Sequence, residues 1–237
     1  MKVRIRYSKL GKVRFVGNLD VTRIWERSLR KAAVPVAYST GFSPRPRLSF
    51  GLALPLAAGS LAEYVDIEFA TELPLEGLAG RLSESLPVGF DVMALAEKFP
   101  GQVSLQEDVV ACDWELELQG ISAAQAAEAV AGALSAPELL LERERKGERS
   151  TDNIRPAIES LELRPTERVL IGARLVTVGR GLRPAELVGV LFPQAGDIAD
   201  TVRSVLRTEQ WVERDGARRE LLPVPAAVLA STELVGA

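Results

Sequence analysis

Two arginine–proline segments contain the residues of this sequence best suited to gripping an anion. The first, residues 38–51, reads YSTGFSPRPRLSFG and alternates two prolines with Arg45 and Arg47. Proline fixes φ and disfavours helix at the preceding residue, so the segment predicts a stiff, extended loop. Arginine grips phosphate oxygens through two donors, and rings such as Tyr38 and Phe42 offer unpaired bases a stacking surface. The pattern is typical of a loop that binds RNA.

The second segment, residues 143–157, reads RERKGERSTDNIRPA and again places a proline after an arginine. Its candidate binding residues are Lys146, Arg149 and Arg155. A charged hairpin is often only a solvated surface, so one such segment carries little information by itself. Two of them, in corresponding halves of one chain, together favour binding to a polyanion.

The charge along the chain is strongly uneven. Residues 1–50 carry a net charge of +10 and residues 51–142 a net charge of −14, within a total of −3 for all 237 residues. A basic block is typical of a surface that meets phosphates or another polyanion. The alternative is that the basic block pairs with the acidic middle inside the fold, and the sequence leaves both interpretations open.

Composition argues against several kinds of site. The chain has no histidine and a single cysteine, Cys112, so we expect no metal site, no cofactor and no histidine-dependent catalysis. No Gly-rich phosphate-loop or dinucleotide motif is present. Glu63, Asp66 and Glu68 could hold Mg²⁺, but a solvated strand face explains them more simply. The lone cysteine and the lack of a long apolar run predict a cytoplasmic location without a membrane span.

Hydrophobic periodicity predicts an α+β protein made of two tandem ferredoxin-like halves, each β-α-β-β-α-β. The halves are residues 1–102 and residues 103–237, and the second ends in a loosely held tail. The first strand, KVRIRYSK, should be central, with Arg4 and Arg6 facing outward. The helix after it should expose Arg23 and Arg27.

In the second half the pattern predicts a helix opened by a capping box of Ser122 and Gln125. A further helix is predicted over residues 196–210, followed by strands around an Asp-Gly turn at Asp215. LLLERERKGE is predicted as a strand, and IESLELR could extend its hairpin. RVLIGARL and AELVGVLF could form a strand pair or a strand with a short helix.

The same segments resemble a known family, the radical-SAM-associated domain of unknown function. That domain is found at the C-terminus of cobalamin-binding radical SAM proteins or as a stand-alone protein. The resemblance rests on RIRYSKLGKVRFVGNLDVTRIWERSLRKA, on YSTGFSPRPRLSFGLALPL followed by AEYVDIEF, and more loosely on KGERSTDNIRPAI. The positions that match its motif are Asp20, Tyr38, Gly41, Phe42, Pro44, Arg45, Pro46 and Ser49.

The resemblance implies an accessory role beside a separate radical SAM protein. A radical SAM cluster is held by three cysteines and this chain has one, so the chain cannot be the radical enzyme itself. Two departures stand out: Gly17-Asn18 replaces the family's Ser-His, and Asn153 interrupts its Asp-Ile-Arg-Pro. No role that depends on that histidine transfers to this chain.

The sequence leaves three functions open. The first is a non-catalytic module that binds RNA. The second is a scaffold that docks on an acidic protein. The third is a metal-independent RNA endonuclease, in which Tyr7, Lys9, Tyr38 and Arg45 would act. The candidate binding residues are Arg4, Arg6, Asp20, Arg23, Arg27, Tyr38, Phe42, Arg45, Arg47, Ser49, Lys146, Arg149 and Arg155.

Overall fold

The computed structural model describes residues 1–98, 101–145, 147–179 and 181–224. The chain forms two compact units: unit 1 is Met1–Val109 with Val212–Ala237, and unit 2 is Val110–Trp211. Both combine strands and helices, so the predicted α+β class is confirmed. Unlike the predicted halves, unit 1 also includes the chain from Val212 onward. The predicted loose tail, residues 225–237, lies outside the described residues.

Unit 1 follows the predicted element order, and its strands pair antiparallel in the order β4-β1-β3-β2. Its elements are β1 (Lys2–Lys9), a 3-10 turn (Gly11–Phe15), α1 (Asn18–Lys31), β2 (Leu48–Phe50), β3 (Gly59–Glu68), α2 (Leu78–Ser85), β4 (Phe90–Glu97) and α3 (Leu105–Asp108). The first strand lies between two others, which confirms its central place. The assignment of both halves to the ferredoxin-like motif stays a prediction.

Helix α1 covers one face of this sheet through an apolar stripe. Val21, Ile24, Trp25 and Leu29 are buried at helical spacing in a core shared with the alternate residues of β1. The Trp25 ring packs edge-on against Tyr7, with ring centroids 5.0 Å apart. The arginines of α1 are therefore left on the outer side of the helix.

The opposite face of β1 is also covered, and the prediction that Arg4 and Arg6 face outward is wrong. Seven of the eight residues of β1 are buried. On this face Ala62, Tyr64 and Leu105 form a second apolar cluster, against which the C-terminal Leu221 and Leu222 pack. Alternation in β1 thus reflects two different buried faces rather than one face in solvent.

Unit 2 holds its main strands in the order β10-β5-β9-β8. The elements described from Val109 to residue 224 are β5 (Val109–Leu118), α4 (Ala123–Ser135), β6 (Leu140–Arg145), β7 (Glu148–Asn153), a 3-10 turn (Arg155–Ala157), β8 (Ile158–Arg164), β9 (Val169–Val176), α5 (Pro184–Leu191), α6 (Ile198–Thr201), β10 (Val202–Arg214) and β11 (Ala217–Glu220). Strands β6 and β7 form a separate two-stranded sheet. None of the described helices combines the length and the hydropathy that a membrane-spanning helix requires.

In this part of the chain, the predicted capping box and the predicted hairpin turn, which depend on residues close in sequence, are confirmed. The Ser122 hydroxyl accepts from the Gln125 amide at 3.3 Å, and the Gln125 side chain accepts from the Ser122 amide at 2.9 Å. The turn between β10 and β11 has φ values of +54° at Asp215 and +73° at Gly216. Positive φ at both central residues is what a tight hairpin turn requires.

Two predictions for unit 2 are wrong. The predicted helix over residues 196–210 is helical only at Ile198–Thr201, and residues 202–210 belong to the strand β10, where pairing within the sheet overrides the local pattern. LLERER forms the strand β6, but its partner is β7 in the adjacent segment, and IESLELR does not extend this hairpin because it pairs with β9. AELVGVLF lies largely within the short helix α5, so the alternative of a strand with a short helix is the correct one.

Candidate functional site

The first arginine–proline segment forms a closed loop beside the end of β3. Tyr38 and Pro46 make an isolated antiparallel bridge. The Ser39 amide donates to the Arg45 carbonyl at 2.8 Å, and the Arg45 amide donates to the Ser39 hydroxyl at 3.0 Å. These bonds close residues 38–46 into a hairpin-like loop, which we call the Arg-Pro loop. Its stiffness thus comes from cross-loop hydrogen bonds as well as from proline.

The tip of the Arg-Pro loop presents aromatic and cationic side chains to solvent. Phe42 is fully exposed, and the exposed fraction of Tyr38 is 45%. The Arg45 side chain is exposed and makes no ion pair with any described residue. Ser49, in β2, is also exposed. A fully exposed phenylalanine beside an exposed guanidinium is what base stacking and phosphate contact require.

Arg47, just outside the loop, is partly engaged inside the protein. Its guanidinium donates to the Glu68 carboxylate at 3.1 Å, and Lys2 lies 3.3 Å from the same carboxylate. Desolvation acts to raise the pKa of Glu68, but the hydrogen bonds and charges of Lys2 and Arg47 outweigh it and lower the pKa. Internal pairing with the acidic segment is therefore seen for Arg47. Asp66, in contrast, is occupied by Arg4 and Lys98.

Helix α1 provides a second exposed cationic surface, which we call the α1 groove. Its lining includes Arg23, Arg27, Arg30 and Phe15, and its volume is about 690 Å³. Arg23 pairs with Asp20 at 2.9 Å, whereas Arg27 and Arg30 have no carboxylate partner among the described residues. The Phe15 ring is 57% exposed. The α1 groove combines exposed cations with an aromatic ring, as the Arg-Pro loop does.

Arg4 and Arg6 belong to the interior of unit 1 instead of its surface. Arg4 donates two hydrogen bonds to Asp66, at 2.8 and 2.9 Å. Arg6 is 2% exposed and donates to the carbonyls of Leu61 and Leu222, at 3.0 and 3.3 Å. Two candidate binding residues are thus held in internal contacts.

The two described candidate residues of unit 2, Arg149 and Arg155, lie on or beside the β6–β7 hairpin. Arg149 is exposed and lies 3.4 Å from Glu144, also exposed. Arg155 donates to the carbonyls of Ile158 and Leu134, at 3.1 and 3.3 Å, so its guanidinium ties the 3-10 turn to the end of α4. Lys146 lies outside the described residues. Within unit 2 the second arginine–proline pair is therefore a structural tie.

A cavity of about 210 Å³ lies beneath the first turns of α1 in unit 1, and we call it the α1 cavity. Its lining includes Tyr7 and Lys9, two of the residues considered for catalysis, together with Glu63. Lys9 is 2% exposed, and its ammonium group donates to the Val16 carbonyl at 2.7 Å. Tyr38 and Arg45 do not line this cavity, so the four residues considered for an endonuclease are not assembled there.

Glu63 is a cavity residue that sequence reasoning missed. A solvated strand face is the predicted setting, but Glu63 and Asp66 are 7% and 8% exposed. The register that pairs Glu63 with Tyr7 is the signal that could have found it, because cross-strand partners share a face. Among the described residues, no group of three His, Cys, Asp or Glu side chains is placed to hold a metal ion.

A family model matches residues 2–184, which is most of the chain, and its description is "Uncharacterized protein conserved in bacteria (DUF2344)". The chain therefore belongs to this bacterial family. No curated protein matches the sequence.

Proposed function

We propose that this chain is a non-catalytic module that binds single-stranded or structured RNA through the α1 groove and the Arg-Pro loop of unit 1. The observation that carries the proposal is the set of exposed arginines without carboxylate partners in the described chain, each near an exposed aromatic ring. Arg27 and Arg30 lie with Phe15 in the α1 groove, and Arg45 lies near Phe42 in the Arg-Pro loop.

Because the chain as a whole is acidic, a locally positive surface on it supports binding to a polyanion. The α1 groove is lined by three arginines and two carboxylates, Asp20 and Glu26, so it retains a local positive charge in spite of a total charge of −3 for the chain. Arginine without an internal partner can bind phosphate, and aromatic rings accept unstacked bases of any sequence. The combination supports RNA more than an acidic protein, because a carboxylate-rich partner would not use the exposed rings for stacking.

We also propose that the module works beside a separate radical SAM enzyme. The support is the sequence resemblance described above and the presence of one cysteine, Cys112, which is buried. Three cysteines are needed to hold a radical SAM cluster, so the radical chemistry would belong to a partner. Identification of the proteins and RNA that co-purify from native cells tests this part directly.

Binding of a fluorescently labelled oligouridine, measured by anisotropy over a range of salt concentrations, tests the RNA proposal. Removing one arginine–phosphate interaction should reduce the slope of log K against log salt by about 0.7. Arg27→Ala with Arg30→Ala should therefore weaken binding and flatten the slope by roughly 1.4 if both contact phosphates. Arg45→Ala with Arg47→Ala should act the same way, with a small stability loss from Arg47 alone.

Two further variants sharpen the test. Phe42→Ala should weaken binding with little change in salt slope, because stacking releases no counterions. Arg81→Ala, on the exposed side of α2, is the matched control, because it removes one positive charge outside both surfaces. If Arg81→Ala weakens binding as much as Arg27→Ala, binding follows net charge alone and the proposed interface is wrong.

The same samples distinguish the other two functions. Displacement of the RNA by polyglutamate, at an equal concentration of charge, would favour docking on an acidic protein. Shortened RNA on a denaturing gel, dependent on Tyr7 or Lys9, would favour an endonuclease. We expect neither result.

A further inference from the structure

The α1 cavity has the size and lining of a site for one small planar group. Its volume of about 210 Å³ equals the space of roughly seven water molecules, since each occupies about 30 Å³ in the liquid. Drug-sized ligands occupy pockets of roughly 300–1,000 Å³, so this cavity suits something smaller. A single unstacked nucleobase is a ligand of that class.

The cavity is lined by strands β1 and β3, helix α1, strand β2 with the segment after it, and helix α3 of unit 1. Tyr7 and Glu63 are direct cross-strand partners of β1 and β3 and supply the floor. Asn18, Val21 and Thr22 contribute from the first two turns of α1, Phe50 contributes from the end of β2, and Ala53 from the segment that follows it. The lining thus mixes aromatic and aliphatic carbon with the Glu63 carboxylate, the Lys9 ammonium group, hydroxyls and amides. Enzymes and binding proteins read an extruded base with this mixture of stacking and edge hydrogen bonds.

The chemistry of Glu63 selects among the bases. An ionised carboxylate only accepts hydrogen bonds, and its two oxygens offer about four acceptor sites, so it can serve internal partners and a ligand together. A ligand that contacts Glu63 therefore needs hydrogen-bond donors at that edge. The Watson–Crick edge of guanine carries two adjacent donors, N1–H and the 2-amino group, which a carboxylate can accept side by side. Uracil presents a single N–H flanked by two carbonyls, so it would be disfavoured.

The cavity and the α1 groove share the start of helix α1. Gly17, Asp20 and Arg23 line the α1 groove, whereas Asn18, Val21 and Thr22 line the cavity. These residues alternate along the start of the same helix. An RNA strand bound in the α1 groove can therefore place one of its bases in the cavity on the other side of that helix. We infer that the α1 cavity receives one unstacked guanine from RNA held in the α1 groove, an inference that rests on the proposed function.

Two short labelled RNAs test the inference, an oligouridine and the same oligouridine with one central guanosine. We expect the guanosine-containing RNA to bind the full chain roughly tenfold more tightly, the order of discrimination that a good bidentate contact provides. Inosine lacks the 2-amino group and should lose most of that advantage. Glu63→Gln should abolish the preference, because its amide replaces one acceptor oxygen with a donor.

Because Glu63 is buried, a loss of the guanosine preference in Glu63→Gln must be distinguished from a loss of folded structure. A second variant, at an exposed position, makes that distinction. Ala53 lines the cavity and is exposed, and Ala53→Leu should fill the cavity without entering the core. It should remove the guanosine preference while leaving oligouridine affinity, its salt slope and the melting temperature unchanged. Ala127→Leu, on the exposed side of α4, is the matched control and should change none of these.

The outcomes separate this inference from the proposed function. Arg27→Ala with Arg30→Ala should weaken both RNAs equally and keep the preference ratio, since these residues lie outside the cavity. Equal binding of both RNAs by the unmodified chain would overturn the guanine site and leave RNA binding intact. If neither RNA binds, saturation transfer from the protein to free guanosine decides the site alone: transfer that disappears in Ala53→Leu supports it, and no transfer refutes it.

Discussion

Removing the Asp66 carboxylate should destabilise unit 1 more than the loss of any surface ion pair. Asp66 accepts from Arg4 at 2.8 and 2.9 Å and from Lys98 at 2.9 Å. The side chains of Arg4, Asp66 and Lys98 are 7%, 9% and 14% exposed. In Asp66→Asn, both cations keep their burial but lose the charge that compensates them.

The expected cost follows from the number and burial of these bonds. Breaking a buried pair by removing one partner costs about 3–5 kcal/mol, because the remaining charge stays desolvated. Three charge-assisted bonds are broken or weakened, each worth about 1.5–3 kcal/mol, so the upper part of that range applies. Asp108 lies 3.9 Å from Arg4 and pairs with Arg214, and its charge limits the loss. The melting temperature should fall by roughly 10 °C or more.

Urea unfolding and calorimetry of the full chain measure this cost against a matched variant. Arg47→Gln breaks the half-exposed pair with Glu68 and should cost only about 0.2–1 kcal/mol. Arg4→Met combined with Asp66→Leu should recover much of the loss, since an apolar pair leaves neither member of that pair charged. The reasoning is refuted if Asp66→Asn costs no more than Arg47→Gln, or if the double variant is less stable than Asp66→Asn.

Two other predictions concern glycines and pH. Gly89→Ala should destabilise the chain, because φ at Gly89 is +97° and a new Cβ would lie 2.6 Å from a backbone oxygen. Gly132→Ala lies in open space within α4 and should stabilise the chain by about 0.5–1 kcal/mol. The melting temperatures of the two variants check both signs. Desolvation acts to raise the pKa of Glu186, but hydrogen bonds and charges from Arg143 and Arg183 lower it overall. Its stabilising contribution is therefore present at neutral pH and lost as pH falls below the ordinary glutamate pKa. Acid titration of Glu186→Gln should show a shallower loss of stability there than the unmodified chain.

Short-range features could be predicted from the sequence with good accuracy. The stripe of α1, the Ser122–Gln125 capping box and the Asp215–Gly216 turn depend on residues within a few positions of each other. The exposed Arg-Pro loop belongs to the same class, because proline restricts its backbone directly and glycine permits the positive φ of +126° at Gly41. Its tip residues Phe42 and Arg45 are both exposed, as a binding loop requires.

Long-range features were predicted less well. Helical spacing of apolar residues favours a helix where β10 forms, because strand pairing outweighs a weak local preference. The partner of β6 was misassigned for a different reason. Strands β6 and β7 form a local two-stranded hairpin, and β7, which reads ERSTDN, has no apolar alternation that would identify it as a strand.

The sequence by itself determined the chemistry that this protein has at its disposal: no histidine, one cysteine, and a basic first fifty residues in an acidic chain. Only the tertiary structure decided which of those charges can meet a ligand. Arg4 meets Asp66 across 62 residues and Asp108 meets Arg214 across 106, so their pairing depends on contacts that no local pattern encodes. Arg27, Arg30 and Arg45 stay exposed, and none of them forms an ion pair within the described chain. Burial is a property of the whole fold, and it separates arginines that stabilise the protein from those that can bind a ligand.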